Sequence, residues 1–305
     1  MTGWVAMLAR ETESQAGGHG VWWARRCAVL LLCFVASVLI GGLVRAAEPI
    51  RFAPLPVENR DLTVRTYLGL VAHLERQLGR PVTLLYFDRH DEVIDRFVAG
   101  QLDLAVVGPL PYVMMRRQQA ATEPLVFFRE PAGNTAYHCA LIVAAGTPPR
   151  LADLRHKRIG LTQRMSTCGY LGANAILIKQ AGFSLAKADY RYLGSHEKVV
   201  RAVAAGTVDV GVVKEEYARK YATLGLQVLA LSEAVPPLTL VGNRATLGEA
   251  TLKSIRQLLP ATPAEVYRQW GGSIQHGMEA ADDAAFAALR AFGDPEAIPP
   301  APAGR

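Results

Sequence analysis

The chain has 305 residues, 50% apolar and 20% charged, with 27 Gly and 18 Pro. This profile excludes a disordered, collagen-like or coiled-coil protein and gives enough chain for two domains. The net charge of +6 comes without a long basic run, which argues against a nucleic-acid partner. Four cysteines, none in a CxxC pair, exclude a disulfide scaffold and a paired zinc or redox motif.

Arg25 and Arg26 precede an uncharged apolar run from Cys27 to Val44, followed by Val44-Arg45-Ala46. A basic region, an apolar core and small residues at a cleavage position make residues 1–46 a signal peptide and place the mature protein in the periplasm. The competing reading is a retained membrane anchor, since 18 apolar residues lie at the lower limit of a spanning helix. Either Sec or twin-arginine export fits. Cleavage removes four arginines against two glutamates, lowers the net charge from +6 to +4 and leaves Cys139 and Cys168 as the only thiols. In an oxidising compartment these two can pair, but the expectation is that Cys139 is a buried strand residue and Cys168 a reduced thiol lining the cleft.

From residue 49 onward strand-like and helical runs alternate. Ile50–Ala53 reads as a strand, Thr66–Leu78 as a helix stopped at Gly79, Val82–Phe87 as a strand, and Asp91–Val98 as a helix stopped at Gly100. Leu104–Val107 is a buried strand and Pro111–Gln119 a helix with proline in its first turn. After a strand at Tyr137–Ala144 the rhythm restarts. Arg158–Leu161 is a strand, Gly169–Gln180 a helix closed by Gly182, Tyr190–Tyr192 a strand, Glu197–Ala205 a helix closed by Gly206, and Val208–Val213 a strand. Leu226–Leu231 and Leu238–Val241 are late strands; residues 250–259, 262–270 and 280–292 read as helical, and 298–305 as a disordered tail.

Two such series predict an α/β protein of two lobes, each a mostly parallel sheet flanked by helices. With crossings near 138–146 and 232–242, lobe 1 is discontinuous, 48–138 plus 242–305, and lobe 2 is 139–241. A repeated phrase supports this. Gly100-Gln101-Leu102-Asp103 and Gly206-Thr207-Val208-Asp209 each end a helix and open a buried strand. The cleft between the lobes is the expected ligand site.

Ser166-Thr167-Cys168-Gly169-Tyr170 stands at a strand-to-helix junction, where unpaired N–H groups and the helix dipole favour an anion. Plain N-capping by Ser166 or Thr167 is the ordinary alternative. Gly194-Ser195-His196-Glu197 repeats the arrangement, and His90 and Pro109-Leu110-Pro111-Tyr112 offer equivalent helix starts from lobe 1. Converging, these starts would bind an oxyanion without a formal positive charge. Cys168 with His196 could form a nucleophile and base, but no local hydrolase signature accompanies them. His138, Cys139 and His196 match no metal spacing. No P-loop or GxGxxG is present, so neither metal nor cofactor is expected.

Several phrases occur in order: Leu74-Glu75-Arg76-Gln77-Leu78-Gly79, Gly100 to Ala105, Gly108-Pro109 with Tyr112-Val113, Ser166-Thr167-x-Gly169-Tyr170-Leu171, Gly194 to Glu197, and Ala202-Val203-x-x-Gly206-x-x-Asp209. Over about residues 50–245 the chain resembles the phosphate, phosphite and phosphonate-binding proteins of ABC importers, which are type II periplasmic binding proteins. The resemblance implies a two-lobed, non-enzymatic solute-binding protein, monomeric and without cofactor, that delivers a small oxyanion to an inner-membrane ABC permease. It implies that Ser166, Thr167, Gly169 and His196, with Ser195 beside it, hold the oxyanion. It places His90 at an aromatic ligand position, Tyr112 in the Gly-Pro-x-x-Tyr pattern, and Glu216 where a carboxylate meets a ligand amine.

Two positions depart from the family. Cys168 replaces a serine, and Leu238 or Thr239 stands where a second amine-binding acid is expected. Both disfavour an aminoalkylphosphonate and favour a phosphonate with an apolar group, phosphite or a related oxyanion. The alternative is a sensory protein partnering a membrane histidine kinase, with the Cys168 thiolate binding an arsenite-like ligand. A third reading is an exported enzyme using Cys168.

Overall fold

The computed structural model describes residues 48–299 apart from 57, 58, 147 and 148. The leader expected over 1–46 and the end of the tail lie outside the described residues.

Eleven strands form two sheets among the described residues. The first contains β1 (Ile50–Pro54), β2 (Val82–Leu84), β3 (Leu104–Val107), β4 (Thr122–Phe128), β10 (Thr239–Asn243) and β11 (Met278–Ala280), in the order β11-β4-β10-β3-β1-β2. The second contains β5 (Cys139–Ala144), β6 (Arg158–Leu161), β7 (Asp189–Tyr192), β8 (Val210–Lys214) and β9 (Leu226–Leu231), in the order β7-β6-β8-β5-β9. The sequence series thus sorts into two α/β halves, the first assembled from two separated stretches of chain.

The sheets are mixed rather than mostly parallel. β2-β1-β3 and β7-β6-β8 are parallel, joined by helical crossovers. β10, β4 and β11, and likewise β5 and β9, run antiparallel to their neighbours. β5 and β10, each the first strand after a crossing from one sheet to the other, run antiparallel to both of their neighbours. The two crossings follow β4 and β9, over 129–138 and 232–238; the first precedes the suggested 138–146, and the second falls within the suggested 232–242.

The helices follow their capping chemistry. Helix α1 (Arg60–Leu78) begins six residues earlier than its apolar period suggests, because the Asn59 side chain accepts the N–H of Leu62 at 3.0 Å. It ends at Gly79, whose φ of 60° only glycine adopts without strain. Tyr67, Leu70, Val71 and Leu74 form its buried stripe against the first sheet. Helices α2 (His90–Val98) and α3 (Pro109–Gln118) cover the opposite face with Val93, Phe97 and Met115. On the second sheet, α4 (Tyr170–Ile176) continues into a π-turn at Leu177–Ala181, and α5 (His196–Ala204) and α6 (Glu215–Lys220) cover the other face.

The repeated Gly-x-x-Asp phrase has a structural counterpart. Asp103 accepts from the N, Nε and Nη2 of Arg51 at 2.7, 2.9 and 2.7 Å, tying the start of β3 to β1. Asp209 accepts the same three groups of Arg158 at 2.8, 3.1 and 2.7 Å, tying β8 to β6.

The C-terminal segment departs from expectation. Residues 283–292, within the segment expected to be helical, form a 3-10 helix. Phe286 joins the first-sheet core, but Leu289, Phe292 and Ile298 join the core that holds Cys139 and Leu171. Ile298, expected in a disordered tail, is 3% exposed. Arg164 donates to the carbonyls of Ile298 and Pro299 at 3.2 and 2.9 Å, which pins this end of the chain. The tail is ordered this far because the apolar side chains here complete a core on the second sheet.

Candidate functional site

A cavity of about 310 Å3 lies among residues of both halves. From the first it receives Leu55, Thr63, Tyr67, His90 and Gly108; from the second, Tyr137, Ser166, Thr167, Cys168, His196, Lys214 and Glu216. Six of the nine sequence-predicted residues therefore meet here: His90, Ser166, Thr167, Cys168, His196 and Glu216. Gly169 stands directly behind them as the residue before α4. A Cβ on Gly169 would lie 2.3 Å from the Gln163 carbonyl oxygen, so the turn presenting Ser166 and Thr167 requires glycine.

Two predicted residues are elsewhere. The Tyr112 hydroxyl donates to Asp283, and its ring packs 3.9 Å from that of Phe286; the C-terminal segment claims it. Ser195 is a helix cap, accepting the N–H of Lys198 at 3.2 Å, and does not reach the cavity. Position 195 faces the N–H groups of its own helix, and position 112 is covered by a segment 171 residues away, which local motif reading does not reveal.

Ser166 and Thr167 are not caps, since α4 has no side-chain cap. Instead Thr167 Oγ1 accepts the N–H of Leu110 at 3.0 Å, binding the start of α3 to the turn before α4. The Tyr137 hydroxyl also pairs with Thr167, and burial pushes its pKa up. Gln163 strengthens the same junction. Its Oε1 accepts from the His90 N–H at 3.0 Å, and its Nε2 donates to the Pro56 carbonyl at 3.3 Å.

The two histidines are buried and neutral. His196 Nδ1 accepts the backbone N–H of Lys214 at 3.1 Å, so the imidazole carries its proton on Nε2. Its ring stacks on Tyr217 at 4.5 Å and 16°. Burial, with lesser contributions from Lys214 and His90, holds its pKa down at about 3. Burial likewise holds His90 at about 4; its Nε2 lies 3.4 Å from the Pro56 carbonyl, and its Nδ1 has no partner. A neutral imidazole donates to an oxyanion by a hydrogen bond alone, so binding does not wait on its protonation.

Cys168 is not a reduced thiol: it is disulfide-bonded to Cys139, with Cα atoms 5.3 Å apart. The bond is buried, Cys139 being wholly enclosed on β5. Gly172 makes room for it, since a Cβ there would meet Cys139 Sγ at 3.0 Å. This removes the thiolate that an arsenite-like ligand or a nucleophilic mechanism would use. Among the described residues, no cluster of His, Cys, Asp and Glu is arranged to hold a metal.

Sequence reasoning missed Tyr137, Lys214 and Thr63. Lys214 ends β8 opposite Cys139, and Glu130 and Glu216 lie 2.8 and 3.0 Å from its Nζ. Thr63 Oγ1 is buried with no partner. A register-dependent position and a threonine in the first turn of a helix leave no local signature.

With fold and cavity defined, the class is that of a two-lobed periplasmic binding protein. The chain belongs to the family described as ABC transporter, phosphonate, periplasmic substrate-binding protein, which it matches over residues 52–286. It is 28% identical over 175 residues to the phosphate-import protein PhnD of Mycolicibacterium smegmatis, an alignment covering 54% of each chain. The chain thus matches about half the length of that curated relative. Its fold is similar to that of PhnD1 from Prochlorococcus marinus in complex with methylphosphonate, with a TM-score of 0.68 and 16% identity over 81% of this chain and 97% of that one. It is also similar to a binding protein component of an ABC phosphonate transporter from Pseudomonas aeruginosa, with a TM-score of 0.66 and 20% identity over 80% of this chain and 85% of that one. Among the described residues, no helix is long and apolar enough to cross a membrane.

Proposed function

We propose that this chain captures phosphite, a small phosphonate or a related oxyanion in the cavity between its sheets and delivers it to an inner-membrane ABC permease. The observation that carries the reading is His196. It is buried, neutral and fixed as an Nε2–H donor, on the same cavity wall as Ser166 and Thr167. Such donors bind an oxyanion by hydrogen bonds in a low-dielectric site without pairing charges. The family match over residues 52–286 supports the class of ligand and partner.

In this reading the protein works as an exported monomer, its leader removed. The two sheets form two lobes, the first from both ends of the mature chain, with the C-terminal segment bridging onto the second. The arsenite-sensing alternative loses its chemical basis, because Cys168 is bonded to Cys139.

Isothermal titration calorimetry with phosphite, methylphosphonate, phosphate, sulfate and arsenite tests the proposal. Binding of phosphite or methylphosphonate is expected, with none of arsenite. A protein that binds arsenite and no phosphorus oxyanion would refute it.

A further inference from the structure

The wall of the cavity carries its own cation. Lys214 is 8% exposed and lines the cavity. Its ammonium lies 2.8 Å from Glu130 Oε2 and 3.0 Å from Glu216 Oε2, and 5.1 Å from the centre of the Tyr137 ring. Glu216 lines the cavity; Glu130, 7% exposed, stands behind it. Burial pushes the Glu130 carboxyl up, and the neighbouring ammonium works against that rise. The backbone N–H of the same lysine holds His196, so cation and oxyanion donor are set by one residue.

We infer that Lys214 is a specificity-determining residue, whose ammonium takes up the carboxylates of the cavity wall and restricts the ligand to oxyanions without a positively charged group. The inference rests on the phosphonate reading above. Among the described residues lining the cavity, Glu216 is the one carboxylate a ligand ammonium would meet, and its Oε2 is already bonded. Lys214 is attached to the wall, so it competes at an effective concentration that a free ligand does not match. The incoming ammonium would surrender its hydration, have to share the Glu216 carboxylate with Lys214 and sit beside a fixed positive charge, and each of these costs affinity. A methyl or alkyl group at the same position meets none of these penalties.

The test compares two probes of nearly equal size, n-propylphosphonate and 2-aminoethylphosphonate, by calorimetry, with methylphosphonate as reference. The wild-type protein is expected to bind n-propylphosphonate at least about tenfold tighter than 2-aminoethylphosphonate. Lys214→Met, which keeps the stem and removes the charge, is expected to narrow or invert that ratio, because Glu216 then accepts the ligand's ammonium. Equal or tighter wild-type binding of 2-aminoethylphosphonate overturns the inference and leaves the phosphonate reading standing. An unchanged ratio in a folded Lys214→Met protein overturns it as well. Failure of the wild-type protein to bind any of the three probes overturns the inference, and overturns the reading above as well only if phosphite is not bound either. The wild-type comparison needs no variant, so it decides the matter even if Lys214→Met does not fold.

Discussion

The main-chain N–H of Lys214 and Nδ1 of His196 meet at 3.1 Å, joining the end of β8 to the start of α5. The contact fixes the imidazole tautomer from the side away from any ligand. Two consequences can be measured. The 15N spectrum of His196 should show the neutral Nε2–H form from pH 8 down to about pH 4, given a pKa near 3. His196→Ala should weaken methylphosphonate binding roughly ten- to a hundredfold, the worth of one hydrogen bond to a charged group. Unchanged affinity would move the oxyanion site away from α5.

Acid should destabilise the protein well before its carboxylates protonate. His90 and His196 have folded pKa values of about 4 and 3, below the ordinary 6.5. Between pH 6.5 and 4 the unfolded chain therefore binds more protons than the folded one. The stability contributed by keeping these rings neutral is fully present above pH 6.5. It is lost as pH falls, at up to about 1.4 kcal/mol per pH unit for each ring. Urea denaturation at pH 7 and pH 5 should show the fall, and His90→Gln should reduce it. Identical midpoints at the two pH values would contradict the burial of both rings.

Thr167 is a joint between α3 and the turn before α4, besides its proposed part in binding. Thr167→Val keeps the shape but leaves the buried N–H of Leu110 without an acceptor, so it should cost about 1–3 kcal/mol of stability. Thr167→Ser retains the hydroxyl and should cost far less. A larger loss in Thr167→Ser than in Thr167→Val would show that the methyl group, and not the oxygen, matters.

The disulfide closes a loop with a sequence separation of 29 residues. Chain-entropy reasoning gives it about 3–4 kcal/mol. The Cys139→Ser, Cys168→Ser double variant should unfold at correspondingly lower urea. In unreduced, unfolded protein, alkylation and peptide mapping should leave both cysteines unmodified; labelled thiols would return Cys168 to the reduced form.

The two arginine–aspartate clamps share a pattern but not a burial. The Asp103 side chain is 5% exposed and the Asp209 side chain 34%. Burial pushes the Asp103 carboxyl up, but the hydrogen bonds from Arg51 prevail and hold it below its usual range. Arg158 holds Asp209 down at about 2. Asp103→Asn should cost about 1.5–3 kcal/mol and Asp209→Asn less than about 1 kcal/mol, because solvent screens the second pair. Thermal unfolding of the two variants ranks them; the reverse order would mean that burial does not set their worth.

Much of this organisation was legible in local chemistry. The Gly100 and Gly206 phrases marked the third strand of each parallel set because helix stop, aspartate clamp and apolar strand are all contiguous in sequence. The turn at Ser166–Gly169 was legible for the same reason. β4 escaped because Pro124 argues against a strand; in the fold it pairs with Val241, where the register shifts at a bulge. β11, three residues at a sheet edge, left almost no pattern. Lys214 and Tyr137 were hidden because their place on the cavity wall depends on how β8 pairs with β5 and on a bridge from Tyr137 to Val235. Tyr112 misled because its partner Asp283 is remote in sequence.

The placement of Leu289, Phe292 and Ile298 among the side chains around Cys139 bears on the order in which the molecule is completed. All five strands of the second sheet lie between residues 139 and 231, and they emerge from the ribosome well before the last segment is made. The first sheet waits for β10 and β11, and the second sheet, though its strands are finished, waits for three apolar side chains at the far end of the chain. Both halves therefore need the C-terminal part of the chain before their cores are complete. A nascent chain halted near residue 282 would carry an uncovered apolar face on α4, a surface for chaperones to grip.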